Sequence, residues 1–182
     1  MNKYLIILLF ALFVQGCSNI SRQDTITYKN ISQANKNLLT KKYKDLYENW
    51  NLTELENELS ADKEMYKTDS VIEKYEKLLS IRKEQKIQLE NLLEEIEQNL
   101  ESGDTSTLEE ALDISVGKNA LIMELKNMSF HGINLFKDDF SFSKDTAQNT
   151  IGLNEGVNTL YLDVSYALKN SKWKIVRLQE KK

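Results

Sequence analysis

The chain has 182 residues, 41% of them hydrophobic and 29% charged, with one cysteine, one histidine and no proline. Its 28 acidic residues outnumber its 24 Lys and Arg, giving a formal charge of −4. With no dense basic stripe to override that charge, nucleic acid is excluded as a natural partner, while one cysteine excludes an intramolecular disulfide.

The first sixteen residues, MNKYLIILLFALFVQG, start with basic Lys3, continue as an apolar run from Leu5 to Val14 and end on the small Gly16. This is the layout of a secretory signal peptide. A membrane-crossing helix needs about 20 apolar residues, and the run stops at about half that length. Val14-Gln15-Gly16-Cys17 then resembles the lipobox of bacterial lipoproteins: an aliphatic residue three places before the cut, a small residue just before it and a cysteine after it. The resemblance implies cleavage between Gly16 and Cys17 and lipidation of the Cys17 thiol. Two or three acyl chains, each buried methylene contributing about 0.8 kcal/mol, would hold the protein to a membrane permanently. Lipidation also accounts for a lone thiol in an oxidising compartment. Ser18, a residue other than Asp, implies sorting to the outer membrane in a diderm cell. Cleavage removes one lysine and no acid, leaving 166 residues with a formal charge of −5. Residues 18–30 are polar and read as a flexible tether, and the absence of proline gives no sign of a stiff linker. A single domain over 31–182 is expected, helical to about 127 and stranded from about 128 to 180.

From Ser32, Leu38, Leu39, Tyr43, Leu46, Tyr47 and Trp50 recur every three or four residues, which predicts an amphipathic helix. Thr53 and Glu56 form a capping-box pattern that opens a short second helix to about Ser60 or a little beyond. The longest helix is expected from Ser70, capped with Glu73, to Leu100, and closes near Gly103. Its stripe runs through Val71, Tyr75, Leu78, Leu79, Leu89, Leu92, Leu93, Ile96 and Leu100, with Arg82, Gln85 and Lys86 as a polar waist between two apolar clusters. That waist argues for a core helix within one chain over an unbroken coiled-coil seam, and its charge runs read as a solvated face. Another helix is expected over Asp104–Asn127, with caps at Ser106/Glu109 and Thr107/Glu110 and an interruption at Gly117.

From Met128 the chain turns rich in aromatic and β-branched residues. Strands are expected at Phe130–Phe136, Phe140–Phe142, Thr159–Leu168 and Lys172–Leu178, with Gly152 and Gly156 marking loops. The last two form a hairpin around Lys169-Asn170-Ser171. Its core face would carry Leu160, Leu162, Val164, Tyr166 and Leu168. The fold class is therefore α+β: N-terminal helices, one of them long, then a small antiparallel sheet that ends in a hairpin.

No P-loop, G-x-S-x-G, H-E-x-x-H or Cys-x-x-Cys motif occurs. The only histidine, His131, would need Asp139 or Asp163 beside it to act as a base, and spacing places neither there. Asp138-Asp139 reads as a turn, and one imidazole without cysteines makes no zinc site. No catalytic residue, metal or cofactor is expected. The long helix followed by strands ending in Trp173-Lys174-Ile175-Val176 resembles, over about the last 80 residues, the cystatin-like and nuclear-transport-factor-like α+β domains of small envelope lipoproteins. That resemblance is architectural and implies no activity. The expectation is a non-enzymatic lipoprotein of the cell envelope, attached to the membrane by lipid, with a monomeric domain that binds an envelope protein. The competing readings are a helical, self-associating surface spacer or adhesin and, behind it, a tethered hydrolase built on His131.

Overall fold

Ser32 opens the first helix, its hydroxyl accepting from the Asn35 amide at 3.3 Å, and the apolar spacing that follows carries the helix on to Glu48. The computed structural model describes residues 31–66, 69–114, 116–127, 133–135, 140–155 and 157–181. It contains helices α1 (Gln33–Glu48), α2 (Leu52–Met65), α3 (Ser70–Glu101), α4 (Ser106–Ala111) and α5 (Lys118–Asn127). Among the described residues five strands follow: β1 (Ile133–Leu135), β2 (Ser141–Ser143), β3 (Thr146–Glu155), β4 (Asn158–Lys169) and β5 (Lys172–Glu180). The α+β class, with helices first and an antiparallel sheet ending in a hairpin, is as the sequence implies.

Helix caps fall earlier than the capping boxes suggest. Asp69, not Ser70, caps α3, accepting from the Val71 amide at 2.9 Å. It also pairs with Lys36 at 2.7 Å. Thr53 lies inside α2, which begins after Asn51 and runs five residues past Ser60. The Asp104–Asn127 segment is two helices: Leu112 leaves α4 to form a parallel bridge with Ile175, and Gly117 turns the chain at φ +83° into α5.

At a rise of about 1.5 Å per residue, α3 spans about 48 Å and joins two cores. Its first half packs Ile72, Tyr75 and Leu79 against Tyr43 of α1 and Leu55 and Leu59 of α2. Tyr43 donates to Asp62 at 2.6 Å, and burial together with that carboxylate pushes its phenol well above the ordinary range. The second half of α3 packs Leu89, Leu93, Ile96 and Leu100 against α4, Ile122 of α5 and the sheet.

In the sheet β1 and β2 share one edge of β3, β1 opposite 151–153 and β2 opposite 146–148, and β4 and β5 follow in antiparallel order. β3 corrects the reading of Gly152 as a loop: Gly152 pairs with Tyr161 inside a ten-residue strand. Its register puts Ala147, Asn149, Ile151 and Leu153 on the core face opposite Tyr166, Val164, Leu162 and Leu160. Of the expected β4 face, Val164 and Tyr166 are buried, Leu162 and Leu168 half-buried, and Leu160 is 37% exposed at the sheet end. β2 begins one residue after Phe140; of the Phe130–Phe136 strand only 133–135 falls among the described residues, and Gly156 lies outside them. Asn170 and Ser171, both at positive φ, form the two-residue turn that matches the right-handed twist of β4 and β5.

Between the two cores the polar waist is filled rather than open. Arg82 is only 3% exposed. Its guanidinium carbon lies 4.4 Å from the Tyr47 ring centre and 4.6 Å from that of Trp50, and it donates to Gln85 Oε1 (2.9 Å) and Asp145 Oδ1 (3.0 Å). Trp50 stacks on Phe142 at 4.3 Å, and its indole N–H donates to the Lys144 carbonyl at 2.8 Å. The Lys144 amide in turn satisfies the free Glu48 carbonyl at the end of α1. Trp173 donates its indole N–H to the Gln85 carbonyl at 2.7 Å. Thus α1, α3, the β2–β3 turn and β5 meet at one place.

Trp50 occupies that place against its backbone preference. Helices α1 and α3 end alike, with the amides of Asn51 and Asp104 reaching back to Leu46 and Asn99, the motif whose left-handed position glycine normally fills. In α3 that residue is Gly103 (φ +80°); in α1 it is Trp50 (φ +58°). Removing a packed Trp side chain costs about 3–5 kcal/mol, and release from the left-handed region returns about 1–2 kcal/mol. Trp50→Gly is therefore expected to lose roughly 2 kcal/mol in chemical denaturation, where a strain-only role would give a gain.

Candidate functional site

The residues singled out from sequence fall mostly outside the described part of the chain: Gly16, Cys17, His131, Asp138 and Asp139 do so. Asp163 is described, on the outer face of β4, where it accepts from the Thr150 hydroxyl at 2.8 Å across the β3–β4 ladder. Among the described residues no three metal-capable side chains come together.

Recesses among the described residues include three that border α3, β3 or β4. Between α3, α4, α5 and the sheet lies a cavity of about 40 Å³ lined by Tyr166 and aliphatic side chains such as Leu93, Leu121 and Ile151. It falls far below the roughly 300–1,000 Å³ of ligand sites; such a dry void costs the core about 1 kcal/mol. Beside this cavity, on the same sheet face, the Tyr166 hydroxyl donates to Asn149 Oδ1 at 2.9 Å, and burial pushes its phenol up. The second recess, about 400 Å³, is a shallow depression on the outer sheet face between Gln148, Asp163, Arg177 and Gln179. Its lining is mostly polar.

The third is a groove of about 490 Å³ between α3, α4 and the start of β5. Leu92, Ala111 and Trp173 form its floor; Gln88, Asn91 and Glu95 line one wall, and Thr107, Glu110, Lys172 and Lys174 the other. An apolar floor beneath a few converging polar groups is the composition of binding sites, which makes this groove the strongest candidate among the three.

Each wall follows from local sequence. In α3 the buried stripe 89–93–96–100 turns Gln88, Asn91 and Glu95 outward, towards α4. Thr107 is fixed between α3 partners, accepting from Asn99 Nδ2 (2.7 Å) and donating to Glu95 Oε1 (3.1 Å). Lys174 donates to the Glu110 carbonyl at 2.7 Å, and Lys172 lies 3.7 Å from the Glu110 carboxylate. Nearby acids are held ionised: hydrogen bonding from Thr105, then from Lys126, keeps Glu109 below the usual carboxylate range, and Lys169 does the same for Asp113. The rim carries two acids and two lysines and has no net charge.

Leu92 of the groove floor was legible as part of the apolar stripe of α3, whereas the polar walls were not. Gln88 and Asn91 lie within what reads as a solvated helix face, and the only signal was two uncharged amides one turn apart among Lys and Glu. Compared with known protein families, with curated proteins and with solved structures, the chain matches none.

Trp173 is 4% exposed and anchors both core and groove. Trp173→Ala is expected to cost about 3–5 kcal/mol, large against a typical total of about 5–15 kcal/mol. Thermal unfolding of the domain should not depend on protein concentration. A Trp173→Ala protein of unchanged stability, or a midpoint that climbs with concentration, would refute a core closed within one chain.

Proposed function

We propose that the chain is a lipid-anchored protein of the bacterial cell envelope whose α+β domain binds an envelope partner and carries no catalysis. The observation that carries this reading is Val14-Gln15-Gly16-Cys17, placed directly after a short basic and apolar leader, with Cys17 as the only cysteine. The thiol accepts a diacylglycerol group, the peptide is cut before it, and residues 18–30 tether the domain. In a diderm cell Ser18 directs the protein to the outer membrane.

Binding rather than self-assembly is supported by the use made of α3. Its stripe is spent inside the chain, the first half on α1 and α2 and the second on the sheet, which leaves Ile81 and Ile87 as its exposed large apolar residues, too few for a long seam. Among the described residues no helix is long and apolar enough to cross a membrane. The groove at Trp173 is the surface whose composition suits a partner.

Cys17→Ala is expected to abolish labelling by a clickable fatty acid in growing cells and to leave the precursor uncut before residue 17, because the peptidase recognises the modified cysteine. Equal labelling of wild type and variant would sink the lipoprotein reading.

A further inference from the structure

We propose that the groove at the start of β5 takes an extended segment of a protein partner, which adds as a strand to the edge of β5 at Trp173. The inference rests on the reading of the domain as a binding module and narrows it to one surface and one ligand chemistry.

Among the described residues β5 is the outer strand of the sheet, paired with β4 on one side and bridged on the other only at Ile175. In an antiparallel ladder, backbone groups point alternately towards the partner strand and away from it. The Ile175 carbonyl points away from β4, since it accepts from the Asp113 amide at 2.8 Å. Two residues earlier, the amide and carbonyl of Trp173 point the same way. At Ile175 the chain covers its own edge with Leu112, in a parallel bridge. The residues before Leu112 would cover Trp173 in the same manner, but they are coiled into α4, which ends at Ala111. The amide and carbonyl of Trp173 therefore face the groove, and neither finds a hydrogen-bond partner among the described residues. This donor and acceptor pair has the spacing that an extended peptide backbone satisfies.

The opposite wall supplies matching chemistry. Gln88 and Asn91 are exposed and lie one helical turn apart, and their side chains make no hydrogen bond among the described residues. Carboxamides offer a donor and an acceptor each, as the peptide group does. The balanced charges of the rim, Glu95 and Glu110 against Lys172 and Lys174, select for hydrogen bonding over net charge. A sugar would need an open aromatic face to stack on, and the Trp173 ring is buried. An extended L-polypeptide segment fits each of these features.

A random dodecapeptide library displayed on phage, selected against the full-length protein in detergent micelles, tests the inference. Enriched peptides are expected to bind the wild type. The Gln88→Ala/Asn91→Ala double variant should bind them about tenfold more weakly at unchanged melting temperature, and Thr150→Ala, on the outer sheet face, should bind them as wild type does. Exchange of the Trp173 amide should slow on binding, and N-methylation of one ligand amide should abolish the complex. No enrichment, equal affinity for the double variant, or equal binding of the all-D peptide would overturn the proposal. Failure here with Cys17 still labelled removes the groove and leaves the anchor. Peptide binding without label keeps the groove and removes the envelope reading.

Discussion

The guanidinium of Arg82 lies where two hydrophobic cores would otherwise stop. Along α3 the buried positions 72, 75, 79, 82, 89, 93, 96 and 100 form one continuous stripe, and at 82 that stripe carries a charge that cannot be neutralised by deprotonation. Burying an isolated cation is prohibitive. The structure meets the cost by flanking the group with the rings of Tyr47 and Trp50 and by hydrogen bonds to Gln85 and Asp145, while its Nε has no partner among the described residues. Asp145 is 68% exposed on its side chain, so this is not a sealed ion pair. Screening by water keeps the Coulomb part small, and stacking on two aromatic faces is the larger contribution.

Much else is placed by that contact. Trp50 accepts a backbone conformation suited to glycine because its indole is needed between Arg82 and Phe142. The β2–β3 turn is drawn onto the end of α1 through Lys144, and Asp145 is brought to Arg82. Trp173, bonded to Gln85 three residues further along α3, sets the distance of β5 from the helix. The groove exists because β5 is held there while α4 coils away from its edge. A rigid junction in the middle of the molecule thus fixes the surface at which the proposed strand would add.

The elements with strong periodic or turn signals were legible in the sequence: α1, α3, the β4–β5 hairpin and the break at Gly117. β3 was not, because TAQNTIGLNE is rich in Asn, Thr and Gly, and its identity as a strand comes from neighbours on both sides rather than from its own composition. The cap positions of α2 and α3 fall at Asn51 and Asp69, one or two residues ahead of the hydroxyls that suggested them, while α3 itself starts at Ser70 as expected. Arg82 looked like an interruption of the stripe, since no local pattern shows that Tyr47, Trp50 and Asp145 will converge on it. The groove joins residues 88–95, 107–111 and 171–174, which only the fold brings together. The residues on which the envelope proposal rests, Gly16 and Cys17, are by contrast adjacent in sequence and form a local pattern.

The central claim is that Arg82 and its aromatic partners couple the helical core and the sheet core into one cooperative unit. Hydrogen exchange measured by mass spectrometry on wild type and Arg82→Met addresses it most directly. In the wild type, segments from 33–65 and 146–180 are expected to share one opening free energy. In the variant, exchange of 33–65 should accelerate about tenfold relative to 146–180, the equivalent of about 1.4 kcal/mol of lost coupling. Equal acceleration of both halves, or none, would contradict the coupling.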